Sequence, residues 1–122
     1  MYTYSFEKLD VWKEAKNFTK EIYFITGEFP EYEKFGLTAQ MRRAAVSICS
    51  NIAEGSTRNT NRDKAHFTTI SFGSAVEILN QLILAVELDL LSPEKYKDLR
   101  SQLESITNKL NSLRNYQTSN KS

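Results

Sequence analysis

The stretch SPEKYKDLRSQLESITNKLNSLR, residues 92–114, decides the fold. Its apolar side chains fall at Tyr96, Leu99, Leu103, Ile106, Leu110 and Leu113, an unbroken alternation of three- and four-residue steps. On a helix those steps stack on one face, the seam of a coiled-coil-like bundle. The stretch also opens as a helix should. Ser92 supplies a capping hydroxyl, Pro93 fits the first helical position, and Glu94 places an acid at the positive end of the dipole. Such a helix is stable only if other helices cover its seam.

Three more segments supply them. Val11, Ala15, Phe18, Ile22, Ile25 and Phe29 recur at fours and threes, and Gly27 and Pro30 mark the stop. After a connector, Leu37, Met41, Ala44, Ile48 and Ile52 form a second stripe ending near Gly55. Residues 56–61 carry no large apolar side chain and read as a loop, with Thr60 and Asp63 spaced as a capping box. The third segment has two apolar faces. One runs through Phe67, Ile70, Ser74, Ile78 and Leu82, the other through Phe72, Val76, Leu79, Ile83 and Val86. Two faces suit a central helix, or one serving both a core and a subunit interface. No strand-like alternation interrupts the pattern. The prediction is all-α: a single domain over residues 1–116, an antiparallel up-down-up-down four-helix bundle. Its helices are expected at about 7–28, 36–56, 61–90 and 93–115, with residues 117–122 a disordered polar tail. Helices of about 20 residues would be ~30 Å long and matched for side-by-side packing.

Composition narrows the chemistry. The 122 residues carry 16 basic and 15 acidic side chains for a net charge of +1, which argues against a dedicated cationic coat for nucleic acid. One cysteine, Cys49, and one histidine, His66, exclude a disulfide framework and any multi-Cys or multi-His metal site, so no metal and no cofactor are expected. Cys49 reads as a small core hydrophobe. Nothing resembles a nucleophile elbow, a phosphate-cradling glycine loop, or the Glu-x-x-His of di-metal bundles, and the chain reads as no enzyme. The longest unbroken apolar run, Leu82 to Val86, is five residues, and residues 1–8 show no secretory n-region. A cytoplasmic protein without a membrane role is expected.

Two groups of residues remain. Gln40, Arg43, Ser47, Asn51 and Glu54 draw a polar line beside the second stripe, and Glu77 lies near the third helix's apolar boundary. Arg43, Asn51, Glu54 and Glu77 read as a structural network in which Arg43 pairs with Glu54 or Glu77 to fix helix register. Small residues gather where the second and third helices should meet: Ala44, Ala45, Ser47 and Ala53 face Gly73, Ser74 and Ala75. Gly73 inside a helix suggests a backbone approach that a side chain would block. The second group is cationic. Residues 36–66 hold five basic and two acidic side chains, and Arg42, Arg58, Arg62 and Lys64 are the candidates for phosphate contact. The Arg58-Asn59-Thr60-Asn61-Arg62 turn would be a cationic tip, and several copies of it in an oligomer would act as one stronger patch.

One stretch carries a resemblance. Phe35-Gly36-Leu37, then Gln40-Met41-Arg42-Arg43-Ala44, Ser47-Ile48 and Asn51-Ile52-Ala53-Glu54-Gly55 resemble the hallmark of the bacterial four-helix bundle proteins encoded in intervening sequences of 23S rRNA genes. Phe6 through Trp12, Phe29-Pro30, and Gly73-Ser74 with Glu77 are similar to that family's opening and third-helix signature, so the likeness spans about residues 6–116. The resemblance implies a homopentamer with no known enzymatic activity. Its relatives include the accessory protein of diversity-generating retroelements, which binds nucleic acid and docks onto a reverse transcriptase. The resemblance therefore implies RNA or DNA and such an enzyme as partners. That relative is markedly basic and this chain is not. Trp12 and Tyr23 are candidates for burial between subunits, with capping of the bundle core the other reading for Trp12.

Overall fold

The structure is a computed structural model that describes residues 1–119. Four helices follow in order: α1 (Asp10–Thr26), α2 (Leu37–Gly55), α3 (Asn61–Glu87) and α4 (Pro93–Ser119). Single 3-10 turns at Ser5–Lys8 and Glu31–Glu33 precede α1 and α2. Each helix packs on its two neighbours in a closed ring, α1 on α2, α2 on α3, α3 on α4 and α4 on α1, with none across the diagonal. Cross-helix bonds give the directions. Along α2 and α3, Ser47 meets Ser74 while Ile48 meets Ser71; along α1 and α4, Glu14 meets Ser105 while Glu21 meets Lys95. One number rises as the other falls, so the neighbours are antiparallel and the up-down-up-down bundle is established.

The predicted stripes of α1, α2 and α4 build the core, and that of α3 does so in part: Ile78 and Leu82 are buried, joined by Ala75 and Ala85 from outside the stripe, while Ile70 is exposed. Val11, Ala15, Phe18, Ile22 and Ile25 of α1 meet Met41, Ala44, Ala45, Ile48 and Ile52 of α2. Ala75, Ile78, Leu82 and Ala85 of α3 meet Leu99, Leu103, Ile106 and Leu110 of α4, all buried. Burying one such leucine or isoleucine stabilises by roughly 1.5–3 kcal/mol, so the core carries the fold. The small residues let α2 and α3 approach closely. Ser71 Oγ reaches across to donate to the Ile48 carbonyl at 3.0 Å, and Ser47 and Ser74 share a hydrogen bond of 2.8 Å.

Helix ends depart from the sequence expectation in six places, two of them the ends of α1 at Thr26 rather than 28 and of α2 at Gly55 rather than 56. α1 starts at Asp10, because Ser5–Lys8 closes as its own 3-10 turn, with Glu7 Oε2 accepting from the Tyr4 N–H at 2.8 Å and Leu9 extended. α2 begins at Leu37, whose N–H donates to Glu33 Oε1 at 3.0 Å. α3 stops at Glu87 because Asp89 turns left-handed at φ 58°. The Leu90 N–H then bonds the Ala85 carbonyl at 2.8 Å and the Asp89 N–H the Val86 carbonyl at 3.0 Å, which is a Schellman closure without glycine. α4 continues to Ser119, so residues 117–119 are helix rather than frayed tail, with Gln117 buried. Residues 120–122, the rest of that expected tail, lie outside the described residues. At 27 residues each, α3 and α4 are also longer than the other two, ~40 Å against ~25–30 Å.

The expected N-caps form, Thr60 without the reciprocal Asp63 bond of a full capping box. Thr60 Oγ1 accepts from the Asp63 N–H at 3.1 Å and Ser92 Oγ from the Lys95 N–H at 3.1 Å. The second apolar face of α3 is only half covered: Phe72, Leu79 and Val86 pack on the core, while Val76 and Ile83 are exposed. By length and composition alone α3 would also cross a membrane, a test that a bundle's core helix passes equally.

Candidate nucleic-acid interface

Three of the four phosphate candidates share one end of the bundle, where α2 ends and α3 begins. The local chain of causes starts at Gly55. A Cβ there would lie 2.9 Å from the Phe67 Cβ, so glycine lets Phe67 lie flat on the last turn of α2. The Arg58 guanidinium then stacks over the Phe67 ring, 4.5 Å from its centroid, and pairs with Glu54 Oε2 at 2.9 Å. Arg62 projects into solvent and Lys64 is half-buried, and neither makes an ion pair among the described residues. His66 is exposed, its ring edge-on to Phe67 at 5.5 Å.

Arg42, the fourth candidate, lies away from the other three. It lies near the start of α2, on the order of 20 Å along the bundle from Arg58. Its guanidinium is committed to the C-terminus of α1: Nε donates to Thr26 Oγ1 at 2.9 Å, Nη2 donates to the Tyr23 carbonyl at 3.1 Å, and the plane covers the Tyr23 ring at 4.7 Å. A cation satisfying the last carbonyls of a helix is a structural device.

The expected polar network is likewise redistributed. Asn51 Nδ2 donates to the Ser47 carbonyl at 2.9 Å and to Ser47 Oγ at 3.0 Å, and through Ser47 it reaches Ser74. Glu54 is taken by Arg58, and Glu77 accepts from Gln81 Nε2 at 3.2 Å. Arg43 points outward and pairs with neither acid among the described residues, so the Arg43–Glu54 or Arg43–Glu77 pairing is not formed. Arg58, one turn on from Glu54, is the better-placed cation. Gly73 is also corrected. A Cβ there would meet nothing within 4 Å, so no described residue of another helix uses the space.

Other reactive groups are quiet. Burial pushes the Cys49 thiol up, a hydrogen bond with Thr19 at 3.4 Å only partly opposing it, and a protonated thiol is a poor nucleophile. Among the described residues no three His, Cys, Asp or Glu side chains are placed to hold a metal ion. Trp12 packs on the core with Phe6 edge-on at 5.1 Å, the capping role, while Tyr23 stays partly exposed under Arg42.

The structure adds residues that sequence reading missed. The bundle's cationic end opens into a cavity of about 280 Å³, floored by Leu9, Ile52 and Leu113 and walled by Lys64, Tyr116 and Gln117. Buried Thr68 donates to Gln117 Oε1 at 2.8 Å. The signal for Gln117 was present: it lies one four-residue step beyond Leu113, continuing the α4 rhythm in a polar residue.

These features define a class, the small antiparallel four-helix bundle with a cationic end. The family follows from comparison: a model of the 23S rRNA-intervening sequence proteins matches residues 7–112, and the chain belongs to that family. A crystal structure of a protein of unknown function from the S23 ribosomal protein family of Bacteroides thetaiotaomicron VPI-5482 shares the fold at a TM-score of 0.80 and 22% identity. The match covers 86% of this chain and 95% of that one. No curated protein matches.

Proposed function

We propose that this chain is a non-enzymatic, cytoplasmic bundle that assembles as a homopentamer and holds RNA or DNA on its repeated cationic ends, as an accessory to a partner enzyme such as a reverse transcriptase. The observation that carries the reading is the grouping of Arg58, Arg62 and Lys64 at one end, with Arg62 and Lys64 free of ion pairs among the described residues. Lone cations beside a helix start suit phosphate oxygens. Assembly is supported by α3. At 100° per residue Gly73 falls at the centre of its outward face, with Ile70, Leu84 and Leu88 to one side and Val76 and Ile83 to the other, all exposed. A helix-interior glycine with nothing near it in its own chain suits the close approach of a second copy.

Fluorescence anisotropy with structured RNA and duplex DNA tests the nucleic-acid part. Binding is expected to fall by on the order of 10³-fold between about 50 and 200 mM salt if six phosphates are neutralised. Arg58→Ala with Arg62→Ala should abolish it, and Arg42→Ala should leave affinity unchanged. No binding at low salt overturns this reading in favour of a protein-interaction scaffold whose partner takes the exposed α3 face. Equilibrium sedimentation tests assembly, which a single 14.1 kDa species at micromolar concentration overturns.

A further inference from the structure

We infer that the cavity at the cationic end is a nucleotide pocket, receiving one unstacked base with its phosphate held at the rim; this rests on the nucleic-acid reading above and gives it a substrate class. The cavity's floor is apolar and three-sided, from Leu9 of the N-terminal segment, Ile52 of α2 and Leu113 of α4. Such a floor accepts a flat ring and holds no charge. The walls are polar in a particular way. Gln117 is only 8% exposed, and its amide oxygen accepts from Thr68 while its nitrogen makes no hydrogen bond among the described residues. An amide N–H at the wall of a cavity is a donor for the hydrogen-bonding edge of a base.

The rim supplies the remaining chemistry. Tyr116 is 65% exposed and lines the mouth, the placement of a ring that stacks on a base. Among the described residues, Lys64 lines the same cavity without an ion pair and no carboxylate joins it there. Arg62 lies one half-turn away on the outward side of α3. The site therefore offers an apolar slot, an open amide, an aromatic edge and a lone cation in one place. A nucleotide answers all four: a planar heteroaromatic ring, a polar edge, a stacking face and an anion. A fully paired duplex answers only the cation, because its bases are stacked out of reach. A recessed pocket at the end of a bundle thus selects loops, bulges or strand ends.

The nucleotide could come from a strand or arrive free, and the experiment separates the two. Full-length protein is titrated with an RNA hairpin carrying an unpaired loop, with a blunt RNA duplex of equal phosphate count, and with adenosine and uridine monophosphates. Binding is read by anisotropy for the two RNAs and by saturation-transfer NMR for the mononucleotides. The expected result is that the hairpin binds about tenfold or more tightly than the duplex. Tyr116→Ala and Gln117→Leu should erase that preference without changing duplex affinity. Mononucleotide binding that the same two variants abolish supports a pocket serving free nucleotide. Tyr116 is solvent-facing, so Tyr116→Ala keeps the test open should Gln117→Leu lose stability. Equal affinity for hairpin and duplex, unaffected by either variant but lost with Arg58→Ala and Arg62→Ala, overturns the pocket and leaves the phosphate reading standing. Absence of binding to all four probes overturns both.

Discussion

At Gly55 an added methyl group would press on the Phe67 Cβ at 2.9 Å, whereas at Gly73 it would touch nothing within 4 Å. Both glycines lie in helices, where alanine is favoured by roughly 0.5–1 kcal/mol. The two substitutions should therefore move stability in opposite directions. Gly55→Ala forces Phe67 off the end of α2 and removes the perch of Arg58. Overpacking of about 1–3 kcal/mol exceeds the propensity gain, and net destabilisation is expected. Gly73→Ala has only the propensity term within one chain and should raise the unfolding free energy by about 0.5–1 kcal/mol. Urea unfolding of both variants at low protein concentration checks the signs, and a stabilising Gly55→Ala would refute the Phe67 account. Sequence showed both glycines and could not rank them. Gly73 sits beside Ser74 and Ala75 in the chain, yet those two turn inward while Gly73 turns out. One residue on a helix is 100°, so a small-residue cluster read as a block conflates two faces. Arg43 was misread for a related reason, since spacing offers it two acids and cannot tell that Arg58 takes one of them.

Among the elements, α3 ends through Asp89, a left-handed residue where glycine is the usual occupant. A non-glycine residue in that conformation stores roughly 1–2 kcal/mol, of which aspartate recovers part. Asp89→Gly should stabilise by about 0.5–1 kcal/mol, read as a shift in the unfolding midpoint with an unchanged denaturant slope. The α1–α4 seam has a different weakness. It is the thinnest of the four contacts and is tied by polar groups: Glu14 accepts from Ser105 Oγ at 2.7 Å and pairs with Lys109, and Lys95 Nζ meets Glu21 at 3.1 Å. Burial pushes the Glu14 carboxyl up, but the hydrogen bonds from Lys109 and Ser105 outweigh it and hold the group below its ordinary value. A carboxylate with a lowered folded-state pKa contributes stability above its unfolded value and loses it as pH falls through the carboxylate range. Glu14→Gln should therefore shrink the acid-side loss of stability and leave the neutral-to-alkaline profile little changed, as thermal melts between about pH 3 and pH 7 would record. The helices themselves were legible because their apolar steps repeat. Their ends were less so, because Asp89 and Gln117 act through a backbone dihedral and a buried amide, which hydropathy does not register.

For the whole molecule, the proposed function raises the question of how a chain of net charge +1 would hold a polyanion. A single tip has Arg58, Arg62 and Lys64, but Glu54 neutralises Arg58 and Asp63 lies between the others. One copy is thus expected to bind weakly, with a shallow dependence on salt because it engages few phosphates. Assembly through the α3 face changes the arithmetic. Linked tips convert later contacts into intramolecular ones, and avidity then exceeds single-site affinity by on the order of 10²-fold or more without any new contact. Ile83 lies on that exposed face, away from the tip, so Ile83→Asp separates the two effects. The variant should sediment as a single chain with an intact helical spectrum and an unaltered Arg58, Arg62 and Lys64. Its RNA affinity should nevertheless fall by on the order of 10²-fold, with a shallower dependence on salt because fewer phosphates are engaged at once. A dissociated variant that retained full affinity would assign binding to one tip alone, and the link between assembly and nucleic-acid retention would be lost. The geometry favours the coupled outcome, because α3 begins at the cationic tip and exposes Ile70, Val76, Ile83, Leu84 and Leu88 along the same helix. In the proposed cyclic assembly, where neighbouring copies run in the same direction, docking through α3 would bring their tips into one neighbourhood.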